Sequence, residues 1–262
     1  MINIGTFPFG QPVQEVVQTD RSQKEVFILG VYASAVHARW VNADGKTVVN
    51  ALAVASEPYI FWCGEGADEI IRQIKIPSRL GVLEPARQDF NGPSGLALDS
   101  LILEPLQLSR KQTWLCDLVP HSCVNPSQQK AINRAYLTVS RDFNLPIPSV
   151  PGIPKNLADN KRRNEILNEI QESGARKLVL LGDKPIHWFL SHFDKRWRKL
   201  ADFGSDRSSY GIWHRTNLDG VEMEILPLAH PRQIAKLGRS SVVWYDAHQE
   251  WLKRPSSNLK GK

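Results

Sequence analysis

The chain has 262 residues, of which 42% are hydrophobic and 23% charged, an ordinary balance for a soluble globular protein, with a net charge of +6. This length suits one large domain or two small ones, and the mild basic excess is compatible with nucleic acid as with many enzymes. No apolar run approaches the ~20 residues that span a bilayer, and no CxxC pair occurs, so a membrane helix, a zinc ribbon and a dithiol redox motif are excluded.

The N-terminus, MINIGTFPFG, carries no basic segment followed by a long apolar core, so no signal peptide is expected. Cys63, Cys116 and Cys123 read as free thiols of a cytoplasmic protein. Residues 5 to 12, punctuated by Gly and Pro, read as a surface strap or a lid with two exposed aromatics, Phe7 and Phe9.

Val26-Phe27-Ile28-Leu29 is a short unbroken apolar run closed by Gly30, which suits a strand buried on both faces. The small residues that follow let a ligand approach the backbone. In open α/β sheets ligands bind outside the carboxyl ends of the strands, so residues 30 to 37 are expected to line a pocket. Two β-prone runs, 36–41 and 47–55, flank Asn42-Ala43-Asp44-Gly45 and predict a hairpin, with His37, Arg39 and Val41 on one face. Residues 64–74 predict a short helix with Ile70, Ile71 and Ile74 as its apolar side. Asn91-Gly92-Pro93-Ser94-Gly95 predicts a turn opening a helix over 96–103.

Residues 113–119 predict a second buried strand with Asp117 near its end. Asn125-Pro126-Ser127 predicts a helix start, and Ile132, Tyr136, Val139 and Phe143 follow at helical spacing. Four prolines mark 145–154 as the most linker-like stretch. Residues 161–171 predict a helix buried on Ile166, Leu167 and Ile170, with Lys161-Arg162-Arg163 as a solvated face. A third strand, 177–181, ends in Gly182 and is followed by a helix over 183–193. A fourth, 221–228, runs into Ala229-His230-Pro231-Arg232-Gln233. A Trp-bearing helix over 240–252 precedes a polar tail, 253–262.

This alternation predicts an α/β protein, a three-layer α/β/α sandwich with a mostly parallel central four-stranded sheet plus a β-hairpin insertion, in one domain over 1–262. In such a sheet three loops share one crevice: Gly30–Ser34, Asp117–His121 and His230–Gln233.

The order of these pieces resembles the uracil-DNA glycosylase superfamily. The resemblance spans nearly the whole chain and rests on Gly30-Val31-Tyr32-Ala33-Ser34, on Asp117 in Trp114-Leu115-Cys116-Asp117-Leu118-Val119, and on His230-Pro231-Arg232. It implies a DNA N-glycosylase for base excision repair, with DNA as partner and neither cofactor nor metal, acting as a monomer. It also implies His230 and Asp117 as catalytic residues. Gly30, Val31, Tyr32, Ala33, Ser34, His37, Phe61 and His121 would bind the substrate, with Tyr32, Phe9 or Phe61 stacking on a flipped base. Arg232, Gln233 and Arg239 would contact nucleic acid. Two departures bear on activity. Tyr32 stands where a water-activating Asp or Asn is usual, and Asp117 stands where Asn usually reads the base. A phenol with a pKa of ~10 is a poor base at neutral pH, and an ionised carboxylate only accepts hydrogen bonds. These departures leave open a catalytically silent nucleic-acid or nucleotide-binding module, or an enzyme acting on a free nucleoside or other small molecule.

Overall fold

A computed structural model describes residues 4–204, 208–237 and 242–254. The chain divides into two compact units, each assembled from separate stretches of sequence. The first contains 1–16, 32–93 and 120–155, and the second 17–31, 94–119 and 156–262. No helix among the described residues is long and apolar enough to cross a membrane.

The second unit is built on a five-stranded sheet. Strands β1 (Val26–Tyr32), β5 (Thr113–Val119), β6 (Lys177–Leu181), β7 (His214–Leu218) and β8 (Val221–Leu228) stand in the order β5-β1-β6-β8-β7. β6 runs parallel to β1 and to β8, with Ile28 opposite Val179 and Val179 opposite Leu226. Glu25 donates its N–H to Gln112 O at one end of the β1–β5 pair, and the Val31 N–H meets the Asp117 carboxylate at the other. These contacts advance in the same direction along both strands, so β5 is parallel to β1 as well. The four apolar runs read from the sequence are therefore neighbours in one parallel sheet. Every residue of β5 is buried, as are Val26 to Gly30 of β1, which only a sheet covered on both faces permits.

The fifth strand was not expected. β7 lies antiparallel at the edge beside β8, joined to it through Asp219-Gly220, both at positive φ. Its pattern alternates, with Thr216 and Leu218 buried and Arg215 and Asn217 exposed, as an edge strand's should.

The helices of this unit include α2 (Pro93–Leu98), α4 (Asn160–Ser173), α5 (Asp183–Pro185, continuing through a wide turn to Ser191–Phe193), α6 (Pro231–Ile234) and α7 (Val242–Leu252). α2 continues through a wide π-type turn, Asp99–Leu103, into Glu104–Leu106. Pro105 explains the widening: it has no N–H for the Leu101 carbonyl and its ring crowds that group. α4 starts at Asp159, whose carboxylate accepts the Arg162 N–H, and ends at Gly174 in the left-handed conformation. Ile166, Leu167 and Ile170 are its buried stripe, as the spacing predicts. Arg162, however, is not solvated; its side chain is 14% exposed and points into the unit.

The first unit is a three-stranded antiparallel sheet, β3-β2-β4, from β2 (Ala35–Val41), β3 (Thr47–Ser56) and β4 (Val82–Pro85). The hairpin is present, and β4 adds to the β2 edge with Arg39 paired to Glu84. Helix α1 (Ala67–Arg72) and helix α3, which runs from Pro126–Ala131 through a wide turn to Leu137–Ser140, belong to the same unit. Asn125 caps α3, its side chain accepting the Gln128 N–H.

The 5–12 segment is neither strap nor lid. Phe7 is fully buried and Phe9 is 7% exposed. The Phe9 ring meets Trp40 and Tyr136 edge-on at centroid distances of 5.5 and 4.9 Å. The buried Tyr136 hydroxyl accepts the Phe9 N–H at 3.0 Å and donates to Pro146 O at 2.9 Å. One phenol thus holds both Gly/Pro-rich segments, which therefore need no regular structure of their own.

Replacing Tyr136 by Phe leaves the buried Phe9 N–H without its acceptor. We expect a loss of about 1–3 kcal/mol, read as a lower urea midpoint with an unchanged far-UV circular dichroism spectrum. An unchanged midpoint would show that these bonds do not hold the N-terminal segment.

Candidate functional site

The carboxyl ends of the parallel strands in the second unit gather Gly30 and Val31 from β1, Asp117 from β5, Gly182 after β6 and His230 after β8. Val31 and Asp117 are in direct contact through the Val31 N–H and the Asp117 carboxylate. The first motif and the strand proposed to read a base therefore meet.

Asp117 is 3% exposed. Burial pushes its carboxyl up to about 7, against the opposing pull of the Arg162 charge and the Val31 hydrogen bond. The Arg162 guanidinium is spent on other acceptors. It donates to Asp117 O at 2.8 Å and Leu118 O at 3.2 Å, and reaches Cys116 Sγ, Glu165 and Glu169. Burial likewise pushes the Cys116 thiol well up, so it stays protonated.

His230 caps α6. Its Nδ1 accepts the Arg232 N–H at 3.2 Å, and its own N–H donates to Gln233 Oε1 at 3.2 Å. The accepting Nδ1 places the ring proton on Nε2. The residue is half-buried, but its ring is desolvated enough to lower its pKa to about 4, with the Arg232 charge adding to the effect. At neutral pH this is a neutral imidazole. Gly182, at φ +87°, donates its N–H to Leu228 O at 2.7 Å. A Cβ there would stand 3.4 Å from the His230 Cβ, so the ends of β6 and β8 lie against each other.

A buried relay fixes the backbone just before His230. His248 Nε2 donates to Leu101 O at 2.9 Å, the carbonyl that Pro105 leaves unserved. Tyr210 donates to His248 Nδ1 at 2.9 Å, and the same phenol oxygen accepts the Ala229 N–H at 3.0 Å. His248 is fully buried, and its pKa is lowered to about 4 by that burial, so it holds one tautomer. Sequence reading missed this relay, because its four members, Leu101, Tyr210, Ala229 and His248, lie at four separate places in the chain.

Asp117 and His230 do not touch. Their strands are separated by β1 and β6, three strand spacings or about 14 Å across the sheet. Any common ligand must bridge the edge rather than sit in a compact dyad.

Tyr32, Ala33, Ser34, His37, Phe61 and His121 belong to the first unit. Tyr32 is exposed, and Ala33 is buried. The Ser34 N–H donates to Glu57 Oε1 at 2.8 Å, and Ser34 O accepts from the Ser122 hydroxyl. His121 lies beside Ser122, with its Nδ1 3.1 Å from Ser122 O. Glu57, only 4% exposed, is thus a buried carboxylate against the first motif, supplied from the end of β3. The backbone of His37 is paired by the Asn91 side chain, which accepts its N–H at 2.8 Å and donates to its O at 2.9 Å. Asn91 and Gly92 run so close to Cys63 and Gly64 that a Cβ at Gly92 would stand 2.0 Å from the Cys63 carbonyl carbon. Phe61 is 7% exposed and Phe9 is core, so neither offers an open face. Phe90, 38% exposed beside the His37 ring, is the aromatic that sequence reading passed over. Arg239 lies outside the described residues. Among the described residues no three His, Cys, Asp or Glu side chains gather as metal ligands.

No protein-family model matches the chain, and no curated protein is significantly similar to it.

The raised Asp117 pKa has a definite consequence for stability. The folded state holds this proton up to about 7, whereas the unfolded chain releases it near 3.9. The group therefore costs nothing below pH 3.9 and its penalty grows as pH rises to 7. Asp117→Asn removes that penalty. The stability of the variant relative to wild type should rise between pH 4.5 and pH 8 by roughly 2–3 kcal/mol in urea titrations. A difference constant with pH would mean that Asp117 is ionised in the fold.

Proposed function

We propose that the chain is a uracil-DNA glycosylase-like protein that hydrolyses the N-glycosidic bond of a deaminated or damaged base in DNA. The observation that carries this reading is the contact between Val31 and Asp117, with His230 at the end of β8 on the same sheet edge.

In this reading the backbone N–H groups after Gly30 hold a base carbonyl. His230 donates a hydrogen bond from Nε2 to the base as it leaves with the bonding electrons; water adds to the sugar carbon, and the proton that water loses passes through solvent to the departed base. A neutral imidazole suffices, because the developing anion needs a donor and no proton need transfer. Arg232 positions a flanking phosphate. Stacking on the flipped base falls to Tyr32, the exposed aromatic that ends β1.

Asp117 sets the choice of base through its protonation. The acid form donates through one oxygen and accepts through the other, as an amide does, and so matches the N3–H and O4 edge of uracil. The ionised form only accepts and matches an amino-bearing edge. Because its pKa is raised to about 7, uracil release should fall as pH rises through neutrality. Asp117→Asn should flatten that profile.

A second reading, a catalytically silent module on this fold, draws on two observations. Tyr32 replaces the usual carboxylate, and the Nδ1 and backbone N–H of His230 are already used in capping α6.

Base-release assays on otherwise identical oligonucleotides carrying uracil, hypoxanthine or xanthine separate the two. The wild type should release at least one base, and His230→Ala should slow it by about 10²–10³ while its far-UV circular dichroism spectrum shows a retained fold, the lost cap lowering the melting temperature by only a few degrees. Tyr32→Asp should raise uracil release. If neither wild type nor Tyr32→Asp releases any base, the glycosylase reading is wrong and the silent reading stands.

A further inference from the structure

Between α5 and β7, in the second unit, the chain reads Asp194-Lys195-Arg196-Trp197-Arg198-Lys199-Leu200. Four of these seven residues are cationic, and all four are exposed. Like charges at this density repel one another, so the fold must hold them there against a cost.

It does so with internal anchors. Trp197 stacks on Phe203 at 4.0 Å and 10°, and His214 of β7 packs on both rings. Asp194 accepts from the Thr216 hydroxyl at 2.9 Å and pairs with Arg196, whose guanidinium lies 5.1 Å from the Trp197 ring centroid. Asp202 accepts the backbone N–H groups of Arg198 and Lys199 at 2.7 and 3.0 Å. Leu200 donates its N–H to Asp183 at 2.7 Å. Asp194 thus neutralises Arg196, whereas Asp202 and Asp183 fix the backbone and leave the side chains of Lys195, Arg198 and Lys199 to themselves. Lys195, Arg198 and Lys199 make no ion pair among the described residues, and the charges of Arg163 and Lys195 both reach His192 nearby.

We propose that Lys195, Arg196, Arg198 and Lys199 form a docking face for the phosphate backbone of a nucleic acid. Consecutive cations on an immobilised segment match a partner whose anions repeat at short, regular intervals, as phosphodiesters do. An exposed positive row with its backbone already ordered loses little entropy on binding such a partner. The proposal rests on nucleic acid being the partner in the reading above, but not on any base being excised.

The test is the triple variant Lys195→Gln, Arg198→Gln, Lys199→Gln of the full chain. Its binding to a fluorescein-labelled duplex and a single strand is read by anisotropy at about 50 and 200 mM salt. Duplex affinity should fall about tenfold or more at the lower salt. The slope of log K against log salt should become shallower by about two to three, close to one for each phosphate no longer neutralised. A control, Lys46→Gln, Lys75→Gln, Arg79→Gln, removes the same charge from exposed positions of the first unit and should bind almost as wild type. Equal losses in both variants, or none in the first, would overturn the proposal. So would wild-type binding to poly-glutamate as tight as to DNA, which would make the face a site for acidic protein. Intact binding with no base released would sink the glycosylase reading and leave this face standing.

Discussion

A buried arginine organises the end of the central sheet. Arg162 reaches from the first turn of α4 to the carbonyls of Asp117 and Leu118 and to the Cys116 sulfur, while Glu165 and Glu169 hold its charge. Removing such a group would strand several buried acceptors at once, and a carboxylate pair would lose its counterion. The same guanidinium leaves the Asp117 carboxyl to the Val31 N–H. The strand end is therefore braced through its backbone, and its side chain is left for chemistry. At the other side of the sheet the Leu101–His248–Tyr210–Ala229 relay does the same for the approach to His230. Both ends are held by largely buried polar groups, where a satisfied network is rigid and a broken one costly.

Much of the sheet was legible because its strands are buried on both faces and so read as unbroken apolar runs. The strands that escaped notice are those without such burial. β4 has four residues, none of them buried, and β7 alternates at an edge with the Asp219-Gly220 turn as its only strong signal. The 5–12 segment misled for another reason. Nothing local marks Phe7 and Phe9 as core; Phe9 is covered by Tyr136, more than 120 residues away in sequence. Arg162 is the same case in reverse, since within Lys161-Arg162-Arg163 only the position of β5 decides which cation turns inward.

The candidate site was legible in part. Gly30, Asp117 and His230 could be placed at strand ends because the pattern of alternating elements already fixes which ends share an edge. What could not be read was how each group would be held. His230 doubles as a helix cap, which fixes its tautomer, and Asp117 is buried deeply enough to keep a proton near neutrality. Glu57 and Phe90 lie in stretches whose local pattern says only turn or strand end, and their placement beside Ser34 and His37 depends on pairing over 23 and 53 residues of chain.

The path of the chain through its two units has a consequence for how the molecule is made. The sequence passes from one unit to the other five times, and β1 must wait for β6, some 150 residues later, before it gains its partner on that side. On the ribosome the first apolar strand is thus synthesised long before its neighbour exists. Until then it carries an unpaired edge of Val26 to Leu29, the kind of surface on which nascent chains pair wrongly. Long-range closure of this sort slows folding, since loop entropy is lost before any strand pairing offsets it. Neither unit corresponds to a continuous stretch that could be cut out and expressed.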